Sequence, residues 1–99
     1  MEVTYNKLVQ GEVNKICTYY DRCVNYLGDR FFLELMKLID AIKKDPHRWP
    51  PVSAGSNKRK ARMKNFPYVI VYKVMHETSL RILVVKHQKR RSNLGMHRK

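Results

Sequence analysis

The stretch of sequence best equipped for chemistry lies near the end of the chain, where an apolar run gives way to a basic cluster. His87 and Arg90 stand three residues apart, with Lys86, Lys89 and Arg91 beside them. An imidazole exchanges protons near neutral pH, and a guanidinium can hold a phosphate or a carboxylate through paired hydrogen bonds. The cluster therefore indicates a surface for phosphates or for an acidic protein. The structural alternative for His87 is a strand-end histidine that bonds to backbone or solvent.

A second group of cations precedes this cluster. The segment 58–64 alternates basic and apolar residues, as a strand with one polar face does. Its cations are Lys58, Arg59, Lys60, Arg62 and Lys64. For the first three, the alternative to a binding role is a solvated strand edge that prevents aggregation. For Arg62, the alternative is an ion pair with an acid on a helix.

The net charge supports a binding role because it is unevenly distributed. The formal charge is +13, yet residues 1–50 hold 8 Lys and Arg against 7 Asp and Glu. Residues 51–99 hold 13 Lys and Arg against one acid, Glu77, a surplus of 12. Solubility alone needs only a few net charges on a small domain. The surplus predicts an acidic partner, either a nucleic acid or a protein.

The elements that must position these cations can be derived from the periodicity of the apolar residues. Residues 1–5 are β-prone and predict a first strand. Apolar residues recur every three or four positions over 9–27, which predicts an amphipathic helix that Gly28 ends. A second stripe over 32–42 predicts another helix, which Pro46 stops. The short joint between the stripes predicts an antiparallel helical hairpin.

Three further strands are predicted after a proline-rich loop over residues 45–57. They cover 58–64, 66–74 and 80–87, and the last two form a hairpin. The order β-α-α-β-β-β predicts an α+β fold, in which a helical hairpin packs against a twisted, mostly antiparallel sheet. Tyr68 and Tyr72 share one face of a strand, either as core residues or as a platform on which bases stack.

Length and composition exclude several classes of protein. A chain of 99 residues supports one domain, 1–99, with a basic tail over 92–99. No apolar run approaches the roughly 20 residues of a membrane span, and the N-terminus lacks the pattern of a signal peptide. We therefore expect a cytoplasmic protein without a membrane partner. Asp45 and Glu77 are too isolated for a metal site, and we expect no cofactor.

Six segments of the chain form a pattern: "YYD" (19–21), "LGDRF" (27–31), "DPHRWPPV" (45–52), the basic strand, "FPYVIVYKV" (66–74) and "ILVVKHQKR" (82–90). Together they resemble the RelE/ParE toxin superfamily, in particular its ParE-like, plasmid-stabilisation branch. Their order and spacing match over nearly the whole chain. The resemblance implies the toxin half of a type II toxin–antitoxin pair, which inhibits growth when it is free. It also implies two helices packed against a twisted antiparallel sheet.

The resemblance offers two kinds of target. RelE-like ribonucleases cut messenger RNA in the ribosome, whereas ParE-like members poison DNA gyrase. In the RelE-like pattern an arginine follows the aromatic residue of the third strand, but here Val69 follows Tyr68. That pattern also has a tyrosine beyond the last basic cluster, where residues 92–96 of this chain read "SNLGM". Both departures favour the ParE-like branch and DNA gyrase.

The alternative is a RelE-like, ribosome-dependent mRNA endoribonuclease. Some nuclease branches have a histidine at the end of the last strand, where this chain has His87. It would act as general acid or base, while Arg62 and Arg90 hold the scissile phosphate with Lys60 and Lys64 alongside. We expect the strand ends to bring Arg62, His87 and Arg90 into one hollow.

The resemblance also implies a cognate, acidic antitoxin. Such antitoxins are partly disordered and fold onto the toxin, so a cationic groove beside apolar surface would suit them. The cations at 58–64 and 86–91 then serve the target, the antitoxin or both in competition. A third hypothesis is a nucleic-acid-binding module without toxicity.

Overall fold

The computed structural model describes residues 1–76, 78–90 and 95–99. Two helices and four strands follow one another along the chain. They are β1 (Glu2–Tyr5), α1 (Val9–Cys23), α2 (Leu27–Lys44), β2 (Lys58–Arg62), β3 (Tyr68–His76) and β4 (Ser79–His87). This order, with the helical hairpin packed on a sheet, confirms the predicted α+β fold.

The four strands form one sheet in the order β1-β4-β3-β2. β2 pairs antiparallel with β3, and β3 pairs antiparallel with β4. β1 lies parallel to β4, so the sheet is mixed. The pairing of β1 stops where Tyr5 meets Ile82. Among the described residues, the second half of β4 therefore has no neighbouring strand on that side.

The helices cover one face of the sheet, which we call the helix face. Their buried side chains recur every three or four residues, as the apolar stripes predicted. These side chains are Val9, Val13 and Ile16 on α1, and Phe31, Leu35, Ile39 and Ile42 on α2. Removing each such side chain from water contributes roughly 1.5–3 kcal/mol. This burial holds the hairpin on the sheet.

One extra residue in β4 decides which way its last side chains point. Tyr72 pairs with Ile82, but the preceding residue of β3, Val71, pairs with Val84. Leu83 is therefore a β-bulge, in which two residues of β4 oppose one of β3. Leu83 and Val84 both join Val71 in an apolar cluster on the face away from the helices.

We call this second face the open face, because no helix within the described residues covers it. Its apolar centre is nevertheless fully buried at Val71, Leu83 and Val84. Val52 from the proline-rich loop and Met96 from the C-terminal segment pack against these three residues. β3 and β4 are thus buried on both faces, which explains why their sequences are almost continuously apolar.

The joint between the helices differs from the prediction. α1 ends at Cys23, and Gly28 lies in the first turn of α2 instead of terminating α1. Tyr26 makes the turn, with a left-handed φ of 67°. The Gly28 N–H donates to the Asp21 carboxylate at 2.8 Å. A Cβ on Gly28 would lie 2.5 Å from the Cys17 carbonyl oxygen. The glycine therefore permits the close approach of the two helices.

Two hydrogen bonds attach the proline-rich loop to the sheet. The Tyr72 hydroxyl donates to the Pro46 carbonyl at 2.6 Å, and the Arg59 guanidinium donates to the Trp49 carbonyl at 2.6 Å. Burial raises the pKa of Tyr72 to about 12, although the nearby Arg59 opposes this change. Tyr72 is fully buried, so of the two roles open to it, the structure supports the core role.

Gly28→Ala should destabilise the helical hairpin. The added methyl group would collide with backbone and with the Asp21 carboxylate, so we expect a loss of roughly 1–3 kcal/mol in the free energy of unfolding. Gly11→Ala is the matched control, because a Cβ at Gly11 meets nothing within 4 Å. It should stabilise α1 by up to about 1 kcal/mol. Urea denaturation of both variants tests this, and equal effects would contradict the close approach at Gly28.

Candidate functional site

The register of the sheet divides the predicted site residues between its two faces. Arg62 pairs with Val69, and Val69 pairs with Lys86. Paired residues on neighbouring strands point to the same side, so these three side chains share the open face. Tyr68 pairs with His87 one position further along. Since Tyr68 packs against the core beneath the helices, His87 lies on the helix face.

The expectation that Arg62, His87 and Arg90 meet in one hollow is therefore wrong for Arg62. The bulge at Leu83 is the physical reason. Without it, simple alternation from Ile82 would point His87 to the open face beside Arg62. With it, the alternation shifts by one residue and the sheet separates the two side chains. The helices also lie on the far side from Arg62, so this residue makes no ion pair with a helical acid.

His87 and Arg90 do come together, in a cavity of about 420 Å³ beside α1. We call this cavity the histidine pocket. Its walls come from α1, from the ends of β3 and β4, and from the C-terminal segment. Besides the two named residues, the lining residues are Glu12, Lys15, Ile16, Tyr19, Tyr68, Val85, Lys86 and Arg98.

Tyr68 forms the aromatic wall of the histidine pocket. Its ring lies 5.3 Å from the His87 ring, at an interplanar angle of 76°. Burial raises the pKa of the Tyr68 hydroxyl, Tyr19 raises it further, and Arg90 opposes both. Arg90 lines the same pocket as Tyr68. Tyr68 therefore stays neutral and can donate a hydrogen bond into the pocket.

A backbone hydrogen bond sets the proton arrangement of His87. The Lys89 N–H donates to His87 Nδ1 at 3.1 Å. Because Nδ1 accepts this bond, the neutral imidazole carries its proton on Nε2. A general base needs an unprotonated nitrogen directed at its substrate, and here the unprotonated nitrogen is already bonded to the backbone. The neutral ring presents a donor at Nε2 instead.

An ion pair closes one side of the histidine pocket. Arg98 and Glu12 lie 2.7 Å apart, which joins the C-terminal segment to α1. The Glu12 carboxylate also accepts the Val85 N–H at 3.3 Å, and Arg98 also donates to the Leu83 carbonyl at 3.2 Å. The two side chains thus bond the backbone of β4 along the stretch that β1 leaves unpaired.

The open face carries the second set of cations. By register they are Lys58, Lys60, Arg62, Lys73, Arg81 and Lys86. Lys58 donates to the Met96 carbonyl. Burial lowers the pKa of Lys86, and the nearby charge of Lys60 lowers it further. The row of cations makes this face suited to phosphates or carboxylates.

The remaining predicted binding residues lie apart from both surfaces or are not described. Arg59 belongs to the helix face, where it holds the proline-rich loop at Trp49. Lys64 and Lys89 are exposed in the turns that follow β2 and β4. Arg91 lies outside the described residues.

Sequence reasoning missed several residues of the two surfaces. Lys15 and Tyr19 stand four residues apart on α1, next to the apolar stripe, and this spacing could have revealed them. Lys73 and Arg81 lie opposite each other on β3 and β4 and complete a row with Lys58. Arg98 carried no sequence signal, because its role depends on the return of the C-terminal segment to α1.

Glu34 on α2 fixes the turn that separates Arg62 from Tyr68. Its carboxylate accepts the Lys64 N–H at 2.9 Å, the Asn65 N–H at 3.0 Å and the Asn65 side-chain amide at 2.7 Å. Burial by itself would raise the pKa of Glu34, but the hydrogen bonds from Asn65 and Lys64 outweigh it, and the pKa is lowered. The carboxylate thus couples the helices to the start of β3.

An apolar groove lies at the other end of α1. It has a volume of about 390 Å³ and runs between β1, the start of α1 and α2. Tyr5 and Phe32 line it and are 45% and 44% exposed. Its remaining apolar lining includes Val9, Val13, Leu35, Met36 and Ile39. Large apolar side chains left exposed around a groove are typical of a protein-binding surface.

Residues 1–76, 78–90 and 95–99 contain no group of three His, Cys, Asp or Glu side chains that could hold a metal ion. In the same part of the chain, neither helix is long and apolar enough to cross a membrane.

The fold is shared with a solved structure from a toxin–antitoxin system. A chain of the "Chromosomal ParDE TA system from P. aeruginosa" superimposes with a TM-score of 0.75. The match covers 88% of this chain and 95% of that one, at 10% sequence identity. At this identity the similarity concerns the fold. No curated protein matches the sequence closely enough to add to it.

The sequence identifies the family. Residues 3–92 match the profile described as "ParE toxin of type II toxin-antitoxin system, parDE". Since the match spans most of the chain, the protein belongs to the ParE toxin family. The expected place in the RelE/ParE superfamily is thereby confirmed, and membership of a ParDE system implies an antitoxin partner.

Glu34→Gln should lower the free energy of unfolding by about 1 kcal/mol near pH 7, because an amide is a weaker acceptor for the turn. The folded-state pKa of Glu34 lies below its usual value of 4.5. The carboxylate therefore stabilises the fold above that value, and this contribution disappears as the pH falls through the folded-state pKa. Denaturation of both proteins across this range measures the difference. Asp40→Asn, at an exposed acid on the same helix, is the control. A loss that persists unchanged in acid would exclude the carboxylate as its cause.

The Lys89 amide proton should exchange slowly with solvent, because it is bonded to His87 Nδ1. His87→Ala should speed this exchange, whereas His47→Ala in the proline-rich loop should not. In nitrogen-detected NMR spectra at mildly alkaline pH, the His87 ring should appear as the Nε2–H tautomer. A ring protonated on Nδ1 would overturn the assignment and restore Nε2 as a possible base.

Proposed function

We propose that this ParE-family protein is a cytoplasmic toxin that inhibits growth by acting on DNA gyrase when it is free. We propose further that a cognate acidic antitoxin neutralises it. Family membership identifies the type of system. We favour gyrase over messenger RNA as the target because the open face lacks an arginine of the RelE-like catalytic pattern.

The main observation in favour of gyrase as the target is the identity of residue 69. In the RelE-like pattern this position is an arginine. Here it is Val69, 2% exposed, between Arg62 and Lys86 on the open face. A buried valine can neither donate to a phosphate nor stabilise the charge of a transition state. This favours a target that the toxin binds over a substrate that it cleaves.

The separation of His87 from Arg62 supports the same conclusion. A ribonuclease needs its general base and its phosphate-holding cations around one phosphodiester, within hydrogen-bond reach. The sheet lies between His87 and Arg62, and the free imidazole nitrogen of neutral His87 bonds to Lys89. The set of Arg62, His87 and Arg90 is therefore poorly suited to cut RNA.

Charge and exposed apolar surface support an acidic antitoxin as the partner. The open face offers its row of cations to carboxylates, and the groove beside Tyr5 and Phe32 offers apolar surface. A disordered acidic chain could cover both while it folds on the toxin, with the charges steering its approach. Binding of the antitoxin to these cations would also keep them from the target.

The second candidate function is a ribosome-dependent mRNA endoribonuclease. It is favoured by the meeting of His87 with Arg90, Lys15 and Tyr68 in one pocket. In this case Lys15 and Arg90 would bind the phosphate, and protonated His87 would be the acid for the leaving oxygen. Arg62 would take no part.

Induction of the toxin in a bacterial host should cause filamentation and a DNA-damage response, as expected for poisoned gyrase. The double variant Lys60→Gln with Arg62→Gln should restore colony formation by about tenfold or more, because it removes two cations of the open face. Growth, cell length and a DNA-damage reporter are the measurements.

Lys43→Gln with Lys44→Gln removes the same charge from exposed positions at the end of α2, and it should leave toxicity unchanged. Prompt arrest of translation with mapped cuts in messenger RNA would instead establish the nuclease. Healthy growth after verified expression of the folded protein would favour a plain nucleic-acid-binding module and overturn both functions.

A further inference from the structure

We propose that the histidine pocket binds one nucleotide unit of single-stranded nucleic acid. The base would lie against the rings of Tyr19 and Tyr68, and the phosphate would lie between Lys15 and Arg90. This site is on the opposite face of the sheet from the open-face cations. The inference does not depend on toxicity or on gyrase, because it rests only on the construction of the pocket.

The pocket combines an apolar floor with aromatic walls. Ile16 and Val85 form the floor and are 8% and 3% exposed. Tyr19 on α1 and Tyr68 on β3 stand above it. A volume of about 420 Å³ falls within the range of small-ligand sites and is large enough for a base with its sugar. A planar ligand with one apolar face therefore fits better than a compact anion.

The aromatic walls are held in place by other rings. Tyr20 contacts Tyr19 at 5.3 Å and Tyr68 at 6.2 Å between ring centroids, so it bridges the two walls. Phe31 and Phe66 pack behind Tyr20 at 5.7 Å and 5.0 Å. Tyr19 itself is 59% exposed. A supported yet exposed ring is what base stacking requires, and little order is lost when a base binds to it.

Cations border this aromatic surface in the same pocket. Lys15 lies one helical turn before Tyr19, on the same side of α1. Arg90 lines the same pocket as Tyr68 and Tyr19. Arg98 is already paired with Glu12 at 2.7 Å. Lys15 and Arg90 can therefore meet a phosphate of the nucleotide, and Lys86 also lines the pocket.

His87 adds a directional contact. Because its Nδ1 is bonded to the Lys89 N–H, its Nε2–H remains the donor of the neutral ring. A donor between aromatic walls can meet the acceptors on a base edge. An acidic peptide would supply carboxylates but no planar ring system, so it would use the cations and leave the aromatic surface empty.

The open face lacks this combination among the described residues. Its centre is Val71, Leu83 and Val84, already covered by Val52 and Met96. It therefore offers cations without a ring on which a base could stack. The two surfaces can be distinguished by substitution.

Fluorescence anisotropy of the full-length protein with a labelled single-stranded DNA of about eight nucleotides tests the proposal. Tyr19→Ala should weaken binding about tenfold, as expected for the loss of one stacking surface. Tyr19→Phe keeps the ring and should bind like the parent protein. Lys15→Gln should weaken binding and reduce its salt dependence by about one counterion.

Arg22→Gln is the matched control for charge, because Arg22 is exposed on the same helix outside the pocket lining. It should change the affinity less than Lys15→Gln does. Equal affinity of Tyr19→Ala and the parent protein would overturn the proposal. So would a loss of binding that follows Lys60→Gln with Arg62→Gln alone, or tighter binding of an acidic peptide of equal charge. A chain that does not inhibit growth but binds DNA through Tyr19 would retain this inference and overturn the proposed function.

Discussion

The bulge at Leu83 is the constraint on which both surfaces depend. β4 is buried on both faces, so its side chains pack either under the helices or on the open face. A single extra residue places Leu83 and Val84 together on the open face. Each later side chain of β4 then lies on the face opposite to the one that strict alternation from Ile82 would give it. Lys86 joins the open-face cations, and His87 joins the tyrosines under α1.

This arrangement lets a small toxin carry two chemically different surfaces on opposite sides of one sheet. The open face is cationic around an apolar centre and suits an extended acidic partner. The histidine pocket combines aromatic walls with cations and suits a planar, negatively charged ligand. Because β3 and β4 support both, a partner on one face contacts the strands that form the other. The thin sheet is thus the physical connection between the two surfaces.

The fold was largely predictable from sequence because its signals are local. The three- and four-residue stripes identified both helices, and continuous apolar runs identified β3 and β4. The contents of the site were predictable only in part. Strict alternation assigns His87 to the wrong face, because a bulge between Ile82 and Val85 has no signal in a run of four similar apolar residues. The prediction that Gly28 ends α1 was wrong for a related reason. A glycine is needed there because the Cys17 carbonyl approaches it closely, and a contact between residues of two helices has no local signal.

The ion pair of Glu12 and Arg98 has a consequence for how copies of the chain behave toward one another. In the part of the chain that the structure describes, half of β4 lacks a neighbouring strand on the β1 side. An exposed strand edge is a template on which the sheets of separate molecules can join. Here a carboxylate satisfies the Val85 N–H and a guanidinium satisfies the Leu83 carbonyl. A strand from another molecule could form backbone hydrogen bonds here only after it displaced these two charged side chains. The ion pair of Glu12 and Arg98 therefore opposes the pairing of β4 with strands of other molecules.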